Sequence, residues 1–483
     1  MAGARTSGHV EPKPELPMNT SNDEFGAVFS ADGSTMYFTT EAGGRQRLMT
    51  CRMIDGVWGT PQEVSLLPSS RIRNIGMPAL SSDGQYMVFA AMLTESTGYG
   101  RTDLYSARRV NGFWGDIRNL GASVNSSGWD SHPSMSSDGT LLFFASDRDG
   151  GEGGTDIYMC VRTGSTWSKA VPLRGVNTPA DESAPFISPD RRILYFVSER
   201  VGGMGGSDLY RSVLDADSVS SVRMMDPPVN TVSNEYGLCM TACGDRVVVS
   251  SDRTGGAGRI DLVPMPRGIA ADPQMTVLTG LVSRTDTSER TVSWISVHSL
   301  DDGRGEVDVR VDDETGRYSA VVAPGHDYAI TSWETDAVVQ TRRVRIAPAE
   351  KGTVRFLGLT QMPCDEESSI AFPVSTAATD GSMSMLTQIE LRRMSDILLA
   401  HPEFRVVVEV PVVSFEAEDS DSAGVTGRMK AIRSYLNLRG VPLSAVLVRG
   451  ATRSIEGAED ELMDGIRTDV IMSLTKKSAG GRE

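Results

Sequence analysis

One stretch of this 483-residue chain has the residue types of a cation site. In DRDGGEGGTD, at 147–156, four carboxylates lie close together: Asp147, Asp149, Glu152 and Asp156. Carboxylate oxygens at short spacing are the ligands that calcium takes from a loop. No glutamate closes a twelve-residue calcium loop here, and the related stretch SERVGGMGGSD at 198–208 lacks two of the acids. The pattern therefore favours a structural loop over a calcium site, and we predict no metal or other cofactor.

The residue groupings of common hydrolases are missing from the sequence. It contains neither a Gly-x-Ser-x-Gly elbow nor a His-Glu-x-x-His pair, and its histidines are scattered: His9, His132, His298, His326 and His401. The cysteines form no Cys-x-x-Cys pair, so zinc is not predicted, and only Cys239 and Cys243 are close enough in sequence to pair under oxidising conditions. We therefore expect no catalytic activity.

The composition limits the class of protein. A formal net charge of −16 argues against nucleic-acid binding, which needs clustered Lys and Arg to neutralise phosphates. No apolar run reaches the length of about eighteen residues that a transmembrane helix requires. The opening residues, MAGARTSGHVEPKPELP, have no apolar core of a signal peptide, so we expect that an export signal is absent from this chain.

The glycine- and acid-rich phrase recurs because the chain repeats. Five turn sequences carry an aspartate at intervals of 51, 55, 52 and 55 residues: Asp32, Asp83, Asp138, Asp190 and Asp245. An alternating or apolar strand follows each turn, and in three repeats the next strand opens with Asp-aliphatic-Tyr. A third element carries a tryptophan in the first three repeats: Trp58, Trp114 and Trp167. Several short strands per repeat of about fifty residues predict a β-propeller.

Residues 10–268 are thus predicted to form a five-bladed β-propeller. The glycines of the repeated phrase permit positive φ in a hairpin, and its last aspartate can accept backbone N–H groups there. The fifth repeat has no Trp-bearing strand, whereas ELPMNT at 15–20 matches the end of that element in another repeat, LRGVNT at 173–178. We therefore expect residues 10–17 to be the outer strand of blade five and to close the ring.

These repeats resemble the TolB-type propeller repeat, a WD-like repeat of periplasmic and outer-membrane proteins. The resemblance covers roughly residues 20–265 and rests on the turn aspartates, the following strand and the Asp-aliphatic-Tyr strand, which recur in register. It implies a propeller that binds a protein partner.

Residues 275–350 read as six or seven alternating strands and predict a small antiparallel β-sandwich. TGRYSAVVAPGHDYAI, at 315–330, resembles carboxypeptidase-regulatory-like modules, and five residues carry the likeness: Gly316, Tyr318, Pro324, Gly325 and Tyr328. Such modules are spacers or interaction units. A polar linker is expected at 358–369.

Strands and helices alternate after the linker and predict an α+β domain at 370–477. Apolar residues at helical spacing between Leu386 and Leu398 indicate one helix, and RMKAIRSYLNLRG at 428–440 indicates another. AFPV, LAHPEFRVVVEV and RMKAIRSYLNLRGVP resemble landmarks of the OmpA-like domain. The resemblance implies a domain that grips peptidoglycan by its diaminopimelate carboxylates.

Two arginines are the candidate peptidoglycan ligands. Arg428 falls on the helix-arginine position of that family, where a guanidinium can fork onto a carboxylate, and Arg467 keeps one arginine before the last strand. The Gly-His-Thr-Asp loop of the family would fall on Val410, Pro411, Val412 and Val413. Since the ligand-binding aspartate is then missing, the sequence favours a retained fold with weakened or lost cell-wall binding.

The predicted order is a propeller, a small sandwich and an OmpA-like domain. It is similar to accessory outer-membrane lipoproteins of Bacteroidetes, including the PorE type linked to type IX secretion, whose N-terminal helical repeats and lipidated cysteine are absent from this chain. The resemblance implies a non-catalytic periplasmic scaffold that is associated with the outer membrane and binds a protein partner. Two alternatives stay open: a peptidoglycan anchor that acts through the OmpA-like domain, and a hydrolase built on the propeller.

Overall fold

The computed structural model describes residues 12–476 with the following gaps: 95–97, 165, 216–217, 270–274, 285–293, 302–306, 334–336, 339, 364–368, 375–387, 389–390, 393, 396–397, 400–401, 403, 413–421 and 453–467. The described residues are mostly β-strand, as predicted. The chain divides into two compact units. The propeller unit comprises Met1–Gly280, Val311–Gly325 and Ile346–Leu357, and the C-terminal unit comprises Leu281–Arg310, His326–Arg345 and Gly358–Glu483.

Five antiparallel sheets follow one another along the propeller unit, and in each the main strands pair in chain order. Sheet 1 contains β1 (Asp23–Phe29), β2 (Thr35–Ala42), β3 (Arg45–Ile54), β4 (Val57–Trp58) and β5 (Gln62–Glu63). Sheet 2 contains β6 (Ile72–Leu80), β7 (Tyr86–Leu93), β8 (Asp103–Val110) and β9 (Phe113–Asn119). Sheet 3 contains β10 (Asp130–Met135), β11 (Leu141–Ser146), β12 (Asp156–Thr163), β13 (Thr166–Trp167) and β14 (Val171–Pro172). Sheet 4 contains β15 (Glu182–Ile187), β16 (Ile193–Ser198), β17 (Asp208–Asp215) and β18 (Ser218–Met224), and sheet 5 contains β19 (Glu235–Met240), β20 (Val247–Ser251) and β21 (Asp261–Met265).

The first strands of the five sheets contact one another in a cycle. β1 contacts β6, β6 contacts β10, β10 contacts β15, β15 contacts β19, and β19 contacts β1. An apolar core lies between each pair of neighbouring sheets, represented by Leu48 with Phe89, Val88 with Phe144, Phe143 with Phe196, Tyr195 with Val249, and Phe38 with Val248. Each large apolar side chain buried there contributes about 1.5–3 kcal/mol. Sheets that pack in this way are the blades of a β-propeller.

The aspartate turns join the first two strands of each sheet. In sheet 1, Asp32 Oδ1 accepts the hydroxyl of Ser30 at 2.6 Å and the N–H of Ser34 at 3.0 Å, and Gly33 has a φ of 69°. The hydroxyl-to-aspartate bond recurs in the other four turns, with the donors Ser81, Ser136, Ser188 and Thr241. The repeated aspartate is therefore a hairpin residue, as the sequence predicted.

Sheets 5 and 1 meet differently from the prediction. Residues 10 and 11 of the predicted strand at 10–17 lie outside the described residues, residues 12–22 form no strand, and sheet 5 has three described strands. Instead, Asn19 Nδ2 donates to the carbonyl of Leu262 at 2.9 Å, and Asn19 Oδ1 accepts the N–H of Leu262 at 2.9 Å. The N–H of Glu24 donates to the carbonyl of Ile260 at 2.8 Å. The N-terminal segment thus joins the two sheets through a side-chain amide and one backbone bond rather than through an outer strand.

The sequence of β21 explains why no strand is added to its outer edge. The N–H and C=O of Leu262 face away from β20, since Asn19 binds both. Backbone polar groups alternate in direction along a strand, so those of Pro264 and of Pro266, just beyond β21, face the same way. Proline has no N–H to donate, and this edge therefore cannot form a regular ladder with another strand.

Residues 276–363 form two further sheets. The first has the order β25-β22-β30-β27 with β29 also paired to β22, and the second has the order β24-β23-β26-β28. The strands are β22 (Thr276–Arg284), β23 (Trp294–Ser299), β24 (Val307–Arg310), β25 (Arg317–Val322), β26 (Asp327–Trp333), β27 (Ala337–Val338), β28 (Gln340–Arg345), β29 (Val354–Phe356) and β30 (Leu359–Pro363). The predicted antiparallel pairing is wrong for β22, which pairs in parallel with β29 and β30. Long connections separate these strands, and such connections permit parallel pairing.

A four-stranded sheet of order β31-β34-β32-β33 ends the C-terminal unit. Its strands are β31 (Ser369–Val374), β32 (Phe404–Val412), β33 (Val446–Thr452) and β34 (Thr468–Lys476). Only β32 and β33 pair in parallel, and helix α1 (Ser422–Leu438) contacts both. The described residues between 388 and 399 are helical, with Leu391, Met394 and Leu398 buried, in agreement with the predicted helix. Within the described part of the chain, no helix is long and apolar enough to cross a bilayer.

The junction of sheets 5 and 1 gives a first prediction. Asn19→Ala leaves the N–H and C=O of Leu262 without their partner, and we expect the unit to lose about 2–3 kcal/mol of stability, at about 1–1.5 kcal/mol per bond. Urea unfolding of the purified protein measures the loss. Asn22→Ala is the matched control, because the backbone carbonyl of Asn22 rather than its side chain lies against Gly258. Equal stability of the two variants would contradict the proposed role of the amide.

Candidate functional site: the loop end and channel of the propeller unit

Glycine-rich loops gather at one end of the sheets, called here the loop end. An aspartate opens the strand that follows each loop and binds the loop's own backbone: Asp103, Asp156, Asp208 and Asp261. Asp156, for example, accepts the N–H of Glu152 at 2.7 Å and that of Gly153 at 3.2 Å. The aspartate thereby fixes the shape of the loop that precedes it.

Glycine is required where each loop touches the connection between sheets. A Cβ on Gly153 would lie 1.9 Å from the carbonyl oxygen of Ala180, and one on Gly205 would lie 1.9 Å from that of Ser233. Real Cβ atoms do not approach a carbonyl oxygen so closely, so no other residue fits without displacing the backbone. The glycine-rich sequence therefore recurs because each loop must lie against the segment that connects its sheet to the next one.

An asparagine amide ties that connection to the preceding sheet at four junctions. Asn177 Oδ1 accepts the N–H of Ile157 at 2.9 Å, and Asn177 Nδ2 donates to the carbonyl of Ile157 at 3.0 Å. The same pair of bonds is made by Asn125 with Leu104, by Asn230 with Leu209, and by Asn19 with Leu262. The sequence match of ELPMNT to LRGVNT includes Asn19 and Asn177, but it does not reveal the function of the asparagine, which depends on this contact with a strand.

A buried acid begins the first strand at the same four junctions: Glu24, Asp130, Glu182 and Glu235. Glu182 accepts the N–H of Thr178 at 2.7 Å and the hydroxyls of Thr178 at 2.6 Å and Ser198 at 2.7 Å. Arg200 adds an ion pair at 3.3 Å. Arg148 pairs in the same way with Asp130, and Arg253 with Glu235. These polar groups are buried but satisfied, so they make the junctions rigid.

The acids of the candidate calcium loop already have partners in the protein. Asp156 is occupied by loop N–H groups, while Asp147 accepts the N–H of Trp129 at 2.6 Å and pairs with Arg101. Asp149 and Glu152 are exposed. Over the described residues, no cluster of three or more His, Cys, Asp or Glu side chains is arranged to hold a metal ion. The geometry of this loop therefore supports a structural role.

A channel of about 120 Å³ lies between the five first strands. Each of these strands shifts register at a bulge, and the residues with positive φ there are Gly26, Met77, His132, Ala184 and Gly237. Positive φ is strained for residues other than glycine, and neighbouring strands hold these residues in place. The N–H of Met77 donates to Thr39 Oγ1 at 2.8 Å, and that of Ala184 donates to His132 Nδ1 at 3.3 Å. The described lining contains no Asp, Glu, Lys or Arg.

His132 is the histidine of this channel. Burial lowers the pKa of His132 to about 4, so its imidazole is neutral at pH 7. Because Nδ1 accepts the N–H of Ala184, the ring proton lies on Nε2, and the ring packs edge-to-face on Trp129 at 5.0 Å between centroids. A neutral imidazole of such low pKa is a hydrogen-bonding group rather than an effective base near neutral pH.

The turn end of the channel is covered within the propeller unit. Val321 of β25 lines the channel and packs with Ala31, Ala242, Cys243 and Val277. Asp312, in the connection before β25, forms an ion pair with Arg109 of sheet 2 at 3.3 Å. Val311–Gly325 therefore docks on the aspartate turns, and the loop end is the opposite face.

Three exposed apolar side chains lie in the loop of sheet 4 and the connection that follows it: Val201 at 105%, Met204 at 38% and Val232 at 87%. We call them the loop-end patch. Val201 and Met204 belong to the glycine-rich loop of sheet 4, which lies against the connection that contains Val232, since Gly206 donates its N–H to Asn234 Oδ1 at 3.2 Å. An apolar group exposed on a rigid loop is typical of a surface that binds another protein.

The predicted peptidoglycan residues are placed in part. Arg428 lies in α1, and Val410, Pro411 and Val412 lie in β32. Val413 and Arg467 lie outside the described residues. Peptidoglycan binding by Arg428 and Arg467 stays a prediction.

The other candidate reactive groups are dispersed or buried. His298 and His326 belong to the C-terminal unit, while His9 and His401 lie outside the described residues. Cys239 and Cys243 are buried free thiols, as are Cys51 and Cys160. Burial raises the pKa of Cys160 to about 12 and that of Cys243 to about 11, so these thiols stay protonated and unreactive at neutral pH.

Comparison with known proteins gives similarity of fold. No protein-family model and no curated protein matches the chain. TolB from Acinetobacter baumannii is 16% identical with a TM-score of 0.32, and the alignment covers 51% of this chain and only 55% of that one. A putative TolB from Agrobacterium tumefaciens is 14% identical with a TM-score of 0.34, over 70% and 87% of the two chains. An endo-arabinase from Bacteroides thetaiotaomicron is 12% identical with a TM-score of 0.36, over 53% and 95%.

The junction acids give a second prediction. Glu182→Gln leaves the guanidinium of Arg200 buried without its anion, and we expect a loss of about 3–5 kcal/mol at pH 7. Glu24→Gln removes a carboxylate whose described partners are all neutral, so we expect little loss or a gain.

Glu24→Gln should also change the pH dependence of stability. Burial raises the pKa of Glu24 in the folded state, so the folded protein binds a proton at Glu24 more tightly than the unfolded chain does. This proton stabilises the fold at acid pH, and the stabilisation is lost as pH rises through the folded-state pKa. The stability of Glu24→Gln relative to the wild type should therefore grow from acid to neutral pH, which urea unfolding over a pH series measures. A larger loss for Glu24→Gln than for Glu182→Gln at pH 7 would contradict this account.

Proposed function

We propose that this protein is a non-catalytic periplasmic scaffold that is associated with the outer membrane and binds a protein partner through the loop end of its propeller. The observation that carries the proposal is the loop-end patch, three exposed apolar side chains on a rigid face opposite the docked residues Val311–Gly325. The strand-opening aspartates and the glycines of the loops hold the shape of that face, as Asp208 and Gly205 do beside the patch.

The architecture behind this proposal is a complete five-bladed ring followed by a carboxypeptidase-regulatory-like module and an OmpA-like domain. The cycle of contacts among the five first strands supports the ring. The resemblance to PorE-type proteins suggests type IX secretion as the setting. A hydrolase built on the propeller gains no support from the channel, where the described lining has no pair of carboxylates for acid–base work.

A capture experiment tests the loop-end patch. We expect Val201→Ser, Met204→Ser and Val232→Ser together to reduce crosslinking of the protein to its envelope partner at least tenfold, which corresponds to about 1.4 kcal/mol of lost apolar contact. Crosslinking in intact cells followed by quantitative mass spectrometry measures the change.

The matched control changes Ile54 and Val57 to Ser, because these side chains are 68% and 70% exposed on the outer hairpin of sheet 1. The control should retain the partner. Equal capture by both variants would exclude the loop-end patch as the interface.

Peptidoglycan anchoring is the second candidate function, and the placement of Arg428 in a helix beside the parallel strands β32 and β33 favours it. Without the aspartate of the family loop, one charge-assisted bond worth about 1.5–3 kcal/mol is missing, so we expect only millimolar affinity. The wild-type protein should then remain in the supernatant when mixed with purified sacculi. Micromolar binding that Arg428→Ala abolishes and Arg433→Ala, on the same helix, preserves would instead establish an anchor.

A further inference from the structure

Three junctions hold an arginine in the same cradle. The guanidinium of Arg200 donates to Glu182 Oε1 at 3.3 Å and to the carbonyl of Val176 at 2.9 Å, and it lies 4.6 Å from the ring centroid of Tyr210. Arg148 does the same with Asp130, the carbonyl of Val124 and Tyr158, and Arg253 with Glu235 and the carbonyl of Val229. In each case the arginine Nε also donates to a serine hydroxyl of the second strand, as Arg200 does to Ser198 at 2.9 Å. The cradle thus consists of an acid, a hydroxyl and the carbonyl of the residue before the junction asparagine.

Sheet 1 has this cradle without its arginine. Glu24 pairs with Thr40 in the register in which Glu182 pairs with Ser198. Two residues further along the second strand, Ala42 stands where sheet 4 has Arg200. The carbonyl of Met18, one residue before Asn19, corresponds to that of Val176, and Phe38 corresponds to Phe196.

Sheet 2 shows that the acid and the arginine can be lost together. At the same register, Ile75 replaces the acid and pairs with Ala91, and Leu93 replaces the arginine. A buried ion pair exchanged for apolar residues is often neutral for stability, whereas removal of one partner leaves an uncompensated charge. Sheet 1 keeps the acid, but Ala42 replaces the arginine and Met49 stands where sheet 4 has Tyr210. The ring is not essential to the cradle, since sheet 5 has Val263 at that position and still holds Arg253.

The retained acid lacks a positive partner in the described chain. Glu24 is 1% exposed and accepts the N–H of Thr20 at 2.7 Å and the hydroxyls of Thr20 at 2.7 Å and Thr40 at 2.9 Å. Asp261 nearby is a like charge, and burial raises the pKa of Glu24. A guanidinium is the group that completes this constellation in sheets 3, 4 and 5.

We propose that the cradle at Glu24 binds a guanidinium supplied from outside the propeller, namely an arginine side chain of the partner protein. This inference rests on the proposed function for the source of the arginine, while the cradle itself rests on the internal repeats. Ala42, Gly43 and Gly44 are exposed, and the arginines in the cradles of sheets 3 and 4 retain 16% and 21% exposure. The arginine of sheet 5 is 1% exposed, so in sheet 1 the exposed hairpin at Ala42–Gly44 would be the route by which a guanidinium enters the cradle.

Thermal unfolding with a small probe tests the cradle. We expect guanidinium chloride at about 5–20 mM to raise the melting temperature of the wild type by about 1–3 °C relative to sodium chloride at equal ionic strength, because the cradle exists only in the folded protein and the general denaturing effect is small at this concentration. Ala42→Arg should raise the melting temperature without the probe and remove the response. Glu24→Gln should remove the response as well, so the test does not depend on the folding of Ala42→Arg.

Arg200→Ala is the positive reference, because it empties a cradle that is known to fit a guanidinium. Arg148→Ala serves the same purpose if Arg200→Ala does not fold. The proposal would be overturned if guanidinium chloride raised the melting temperature of the reference variant but not that of the wild type. This assay contains no partner, so its failure leaves the loop-end patch untouched, and failure of the capture experiment leaves the cradle untouched.

Two blocked amino acids distinguish an arginine side chain from a simple cation. N-acetyl-arginine amide should shift the wild-type melting temperature at least as much as guanidinium chloride, whereas N-acetyl-lysine amide should not, since only the planar fork reaches both the carboxylate and the Met18 carbonyl. Equal shifts from the two compounds would refute recognition of arginine.

Discussion

Side-chain amides of four asparagines join the sheets of the propeller unit, and the rest of that unit depends on them: Asn19, Asn125, Asn177 and Asn230. The strand after each glycine-rich loop directs an N–H and a C=O out of its sheet, and leaving such a buried group unpaired costs about 1–3 kcal/mol. One amide satisfies both because its donor and acceptor lie side by side. The same contact sets the position of the buried acid and of the glycine-rich loop, so the shape of the loop end follows from it.

Features that depend on nearby residues could be predicted from the sequence. The turn aspartates were visible as a repeat because each one binds groups only two residues away, as Asp32 binds Ser30 and Ser34. The role of Asp156 was equally local, since it accepts N–H groups three and four positions earlier. Hairpin contacts of this kind join residues that are close in sequence, so the repeated hairpins and the mostly-β fold could be predicted from them.

Features that join distant residues could not be predicted. The match of ELPMNT to a later repeat identified the segment that joins sheet 1 to sheet 5, but an outer strand was wrong, and the proline pattern of β21 was the signal against it. The parallel partners of β22 and the ion pairs at the junctions likewise depend on register between strands, which a single sequence does not state. The placement of Arg428 on a helix could be predicted from the spacing of apolar residues, whereas peptidoglycan binding by Arg428 stays a prediction.

The bond between Asn19 and Leu262 spans 243 residues, whereas the equivalent bonds of Asn125, Asn177 and Asn230 span 21, 20 and 21. Loop-closure entropy disfavours early formation of the long contact, whereas neighbouring sheets can associate while it is still open. We therefore expect sheets 5 and 1 to meet in a late folding step that needs both ends of the unit. Before that step, the apolar faces that these two sheets bury against each other would be exposed, and self-association would then compete with folding.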